Sequence, residues 1–112
     1  MAFLRRLYRG DLPFDRRNLE IVKKVLVQDE TGGVVFSGKT GSCDAGGGER
    51  VGWFVGRQTS PAGEYIFATR IVAADRGAPR GQGPDGLHAR EISRAMLSAL
   101  PDLRRGSHPG KP

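Results

Sequence analysis

Val34-Val35-Phe36-Ser37-Gly38-Lys39-Thr40-Gly41, followed after a glycine-rich connection by Val51-Gly52-Trp53-Phe54-Val55-Gly56, decides how this chain is folded. The first stretch is a run of strand formers that ends in an ammonium, a hydroxyl and a glycine. The second is another strand-forming run. Two readings compete. An edge strand of this composition presents a cation and a hydroxyl donor to an anionic ligand. The same residues also spell a phosphate loop, because Gly33 is followed after four residues by Gly38-Lys39-Thr40.

The neighbours separate the two. A nucleotide site from Gly33 to Thr40 needs a strand before the first glycine and a helix opening at the lysine, so that helix amides face the phosphates. Before Gly33 lies the polar, turn-like Asp29-Glu30-Thr31-Gly32, and the loop interior is Val34-Val35-Phe36. After Thr40 comes Gly41-Ser42-Cys43-Asp44-Ala45-Gly46-Gly47-Gly48, which cannot start a helix. The nucleotide reading is kept only as an alternative.

Outward from this centre the pattern alternates between helix and strand signals. Phe3 to Tyr8 reads as one short helical turn ending near Gly10. Leu12-Pro13-Phe14 reads as extended, since a residue before proline is pushed out of the helical region. Asp15 reads as a helix cap. Leu19, Ile21, Val22, Val25 and Leu26 recur at helical spacing, with Arg16, Arg17, Lys23 and Lys24 largely opposite, which predicts an amphipathic helix over 15–28. Strands are predicted at about 34–39, 51–58 and 64–73. The last two are joined through Thr59-Ser60-Pro61-Ala62-Gly63 as an antiparallel hairpin. Residues 74–86 read as a loop, the triple glycine at 46–48 as a flexible connection, and 87–100 as a second amphipathic helix stopped by Pro101. The expected class is α+β: a three-stranded antiparallel sheet flanked by helices.

Composition narrows the functional classes. The chain has 112 residues, 38% of them apolar, and a formal charge of +6. That is enough for one small domain or a piece of a larger one. Its cations are spread along the chain in runs no longer than two. A basic nucleic-acid module is therefore an alternative without the basic and aromatic surface pattern such modules carry. Cys43 is the only cysteine, and His88 and His108 form no metal-ligand pattern, so neither metal nor cofactor is expected. No apolar stretch is long enough for a membrane span or a secretory signal, which leads to an expected cytoplasmic location for the chain as written. Trp53 is expected in the core, and Cys43 as a free thiol in a loop.

Taken together, Ser37-Gly38-Lys39-Thr40-Gly41, Gly52-Trp53-Phe54-Val55-Gly56 and Tyr65-Ile66-Phe67-Ala68-Thr69 resemble the C-terminal part of the class D serine β-lactamases. The related sensor domains of β-lactam signal transducers share the pattern. Leu7-Tyr8-Arg9-Gly10-Asp11-Leu12-Pro13-Phe14 extends the resemblance to roughly 4–100. It implies a domain over 1–103 and a β-lactam or peptidoglycan-like carboxylate as ligand, while 104–112 reads from its own residues as a disordered tail. Lys39 would supply positive charge to that carboxylate, and the Thr40 hydroxyl a hydrogen bond. Gly41 would let the ligand lie close to the strand. The Ser42 backbone N–H would form half of an oxyanion hole, and Arg90, or alternatively Arg94, would clamp the carboxylate. Full-length members of the family are periplasmic or extracytoplasmic.

The resemblance also shows what this chain does not contain. The family's nucleophile stands in Ser-x-x-Lys, but the residues three places after Ser37, Ser42, Ser60, Ser93, Ser98 and Ser107 are Thr40, Ala45, Gly63, Met96, Pro101 and Gly110. A serine without an activating base is a weak nucleophile, so no hydrolysis by this chain alone is expected. A truncated or split gene product, or a misplaced start, would account for the missing front. The strand at 65–72 would then expose an edge to a complementing N-terminal fragment or to self-association, and stability would be marginal.

Overall fold

The computed structural model describes residues 1–44, 49–72 and 85–100. The described elements are α1 (Ala2–Arg9), α2 (Arg16–Val25), β1 (Val27–Thr31), β2 (Val34–Asp44), β3 (Arg50–Ser60), β4 (Gly63–Val72) and α3 (Gly86–Ala99). The strands form one open sheet in the order β1-β2-β3-β4, each joined to the next along the chain, so that neighbours run antiparallel. The α+β class is as expected. The expected loop over most of 74–86, the glycine connection at 46–48 and the tail at 104–112 lie outside the described residues.

Among the described residues the sheet has four strands, not three. The predicted helix over 15–28 stops at Val25, and the segment read as a turn at 29–31 belongs to β1, which pairs with β2 through Glu30↔Val35 and Thr31↔Val34. Two glycines make this possible. Gly32 and Gly33 have φ of 61° and 81°, the two positive values that a type I′ turn needs to close a two-residue hairpin. All five residues of β1 are exposed, so β1 has no apolar alternation to announce it. A bulge between Val27 and Asp29 and the charges on Asp29 and Glu30 make it an unattractive edge for further pairing.

Two compact units divide the described chain. The first comprises Met1–Gly38 and Gly56–Phe67 with residues 99–100. In it α1 ends on Gly10, whose φ of 75° lets its N–H bond back to the last turn. Phe14 donates its N–H to the Leu12 carbonyl at 2.8 Å, so Leu12-Pro13-Phe14 is a tight bend rather than the expected extended piece. Asp15 caps α2 by accepting the Arg17 N–H at 2.9 Å. Leu7, Leu12 and Leu19 are buried together with Tyr8 and Leu26 packed against them, and Phe36 stacks on Phe67 with ring centroids 6.0 Å apart. Arg57 lies over the Tyr8 ring at 4.5 Å and pairs with Glu64. The Tyr8 hydroxyl is buried, which pushes its pKa up against the opposing pull of Arg57.

The second unit comprises Lys39–Val55 and Ala68–Ser98. Its largest fully buried side chains are Phe54 and Ser93. The Ser93 hydroxyl donates to the Ala89 carbonyl and contacts the Thr69 hydroxyl at 2.6 Å, tying α3 to β4. Trp53, expected in the core, is 37% exposed on β3 and stands beside Arg70, whose guanidinium is 5.8 Å from the ring centroid. Strand alternation explains the exchange, because neighbouring residues on a strand face opposite sides and it is Phe54 that turns inward.

Candidate functional site

Lys39, Thr40, Gly41 and Ser42 are consecutive on β2, and α3 begins against them, all within the second unit. β2 was expected to be an edge strand. It is interior where β1 pairs with it, and the pairing ends at Ser37. Gly38 directs both its N–H and its carbonyl to that side, to the Leu26 carbonyl at 2.8 Å and from Gln28 Nε2 at 3.2 Å. The two-residue period of the strand turns the backbone groups of Thr40 and Ser42 to the same edge.

The Lys39 ammonium is exposed and folds back onto Thr40, donating to its carbonyl at 2.8 Å and its hydroxyl at 3.3 Å. Both acceptors are neutral, and among the described residues no carboxylate pairs with Lys39. A hydroxyl that accepts from an ammonium keeps its own proton to donate elsewhere. An uncompensated cation and a hydroxyl donor on a strand edge can together hold an oxyanion.

Two glycines bring α3 this close. A Cβ on Gly86 would stand 2.6 Å from the Thr40 Cβ and 3.0 Å from the Gly41 nitrogen, and one on Gly52 would stand 2.1 Å from the Asp85 carbonyl oxygen. No side chain fits at either place. Ser42 uses its side chain here: its Oγ accepts the Gly86 N–H at 2.8 Å. Asp85 Oδ1 accepts the His88 N–H at 3.0 Å and contacts His88 Nδ1 at 3.0 Å. Together they satisfy amides that the first turn of a helix leaves without intrahelical partners. The His88 N–H bond holds the Asp85 carboxyl below the usual carboxylate range.

Arg90 lies one turn into α3, four residues after Gly86 and so on a neighbouring stripe of the helix surface. It is half-buried and contacts Glu91 at 3.4 Å. Arg94 lies one turn further and is also half-buried. The structure thus joins Thr40, Gly41 and Ser42 to the start of α3 and puts both arginines on that helix. Cys43 is exposed, on β2 rather than in a loop. Sequence reasoning missed Gly52, Gly86 and the Asp85–His88 pair. The first two carried a legible signal, since a glycine inside a strand or opening a helix marks close backbone approach.

No family model matches the chain. Comparison with curated proteins finds the probable β-lactamase YbxI of Bacillus subtilis (strain 168), 38% identical over 72 residues that make up 62% of this chain and 26% of that protein. β-Lactamase OXA-2 of Escherichia coli is 34% identical over 104 residues, 92% of this chain and 34% of the relative. Among solved structures, the C-terminal domain of the Bacillus licheniformis BlaR penicillin-receptor superposes with a TM-score of 0.71 at 30% identity, covering 96% of this chain and 39% of that one. Class D β-lactamases are also among the structures it matches. The chain spans between 14% and 34% of the length of the curated relatives it matches. Sequence and fold agree that this chain is a homologue of one part of the class D β-lactamases and of the BlaR penicillin-receptor domain.

Proposed function

We propose that the chain supplies the carboxylate-recognition wall of a β-lactam-binding domain and does not hydrolyse β-lactams by itself. The observation that carries this reading is the Lys39 ammonium held on Thr40 with no carboxylate paired to it among the described residues, on the strand edge that α3 abuts. Lys39 attracts the ligand carboxylate and the Thr40 hydroxyl donates to it, while Gly41 leaves room along the strand. The Ser42 backbone N–H faces the same edge, and Arg90 or Arg94 approaches from α3. No serine of the 112 residues has a lysine three places on, so the acyl-transfer step has no activated nucleophile. The ligand is a β-lactam or a peptidoglycan-like peptide carboxylate, and a segment carrying the nucleophile would complete the site.

Benzylpenicillin titrated into the isotope-labelled chain is expected to shift the Thr40, Gly41 and Ser42 amides at millimolar concentration. Lys39→Ala should weaken that binding about fivefold, the scale of one exposed charge pair. Mass spectrometry should find no acyl adduct. Unshifted amides at 40–42 would sink the ligand assignment. A stable adduct would overturn the claim that the chain has no activated nucleophile.

A further inference from the structure

The first unit holds a cleft of its own, which the carboxylate-recognition reading does not use. The turn at Gly10 and the bend at Leu12-Pro13-Phe14 bring the end of α1 and the start of α2 around a cleft of about 400 Å³, lined among others by Tyr8, Arg9, Phe14, Arg16, Glu20 and Lys23. The charges in this cleft are unevenly used. Lys23 Nζ is held by the Tyr8 carbonyl at 3.3 Å and by the Glu20 carboxylate at 3.1 Å, so these two side chains neutralise each other. The Arg9 and Arg16 guanidiniums have no ion-pair partner among the described residues. Arg16 is the first residue of α2, whose first turn carries no acidic residue, so the positive end of the helix adds to its charge. Asp15, which precedes Arg16 in the chain, accepts the Arg17 N–H through Oδ1. Phe14 is 64% exposed beside these cations, its backbone fixed by the bond from its N–H to Leu12.

Two unpaired guanidiniums match a dianion better than a monoanion, and their planar forks suit phosphate oxygens. An exposed phenyl ring beside them offers a face for a second ring. We propose that the cleft between α1 and α2 binds a small organic phosphate monoester bearing an aromatic ring, with Arg9 and Arg16 on the phosphate and Phe14 on the ring. This site is independent of the carboxylate site at Lys39 and Thr40.

Phenyl phosphate, inorganic phosphate and benzoate titrated separately into the full isotope-labelled chain test it. Phenyl phosphate should give saturable shifts at Gly10, Phe14 and Leu19. It should bind at least about threefold more tightly than inorganic phosphate, the contribution of one ring contact, and more tightly than benzoate. Arg9→Gln and Arg16→Gln should each weaken it about threefold to fivefold. Both side chains are exposed, and unchanged circular dichroism would verify that the variants fold. Phe14→Ala, a third variant, should erase the preference over inorganic phosphate. The proposal is overturned by an absence of saturable shifts, by shifts confined to Gly41 and Ser42, by equal affinity for benzoate, or by arginine variants that bind like the parent.

Discussion

The two halves of β2 share one backbone and differ in nearly everything else. Over 34–37 the strand has β1 at its side, and Phe36 and Ser37 are 2% and 4% exposed. Over 39–44 the β1 pairing has ended, and Lys39, Ser42, Cys43 and Asp44 are exposed. The first half is held by its side chains. The second is positioned by backbone proximity and by the helix start at Gly86. A recognition edge needs that division, because groups that must meet a ligand cannot also be buried in a core.

The sharpest way to break the first half is Phe36→Ala. It removes a ring stacked on Phe67 and shielded almost completely from water. We expect a loss of about 3–5 kcal/mol in denaturant unfolding, the range for buried aromatic truncation. A loss below about 1 kcal/mol would show that the core lies elsewhere. The second half breaks differently. Gly86→Ala adds a methyl 2.6 Å from the Thr40 Cβ, where strand and helix backbones leave no slack. The gain in helix propensity is about 1 kcal/mol, so a net loss of about 1–2 kcal/mol is expected once the overpacking is included. The amide shifts at Thr40 and Gly41 should move as α3 is displaced. A more stable variant with those shifts unchanged would contradict the close packing.

Most of the fold could be read in the residues because most elements bury an apolar face. The strand formers of β2, β3 and β4 and the helical spacing of α2 and α3 are consequences of that burial. β1 failed the same test for a physical reason: Val27-Gln28-Asp29-Glu30-Thr31 faces solvent on every side chain. It exists because β2 offers unpaired backbone groups and Gly32-Gly33 closes the turn, a two-glycine signal present in the sequence. Trp53 went wrong through a one-residue ambiguity, as two adjacent aromatics cannot both point inward from one strand. At the site, Lys39-Thr40-Gly41 was legible through its resemblance to a known family. The link from Ser42 Oγ to the Gly86 N–H spans 44 residues, and no local pattern encodes a contact at that separation.

The mildest perturbation is acid, acting at Asp85. Its carboxyl is held below the usual carboxylate range chiefly by the His88 N–H, so the folded state favours the ionised form. A depressed folded value means that the contribution is present above the unfolded pKa of about 3.9 and is lost as pH falls through the folded value. The start of α3 should therefore loosen below about pH 4, by less than about 1 kcal/mol because the carboxylate is partly exposed. Amide exchange at His88 and Ala89 reads this directly, and Phe36 in the first half of β2 should show no matching step. Asp85→Asn keeps a capping oxygen, since asparagine caps as well as aspartate, but it has no proton to gain. Its α3 amides should lose the acid step while the cap persists. An acid step that survived in Asp85→Asn would mean that another group controls the helix start, and the second half of β2 would then owe its position to something other than this cap.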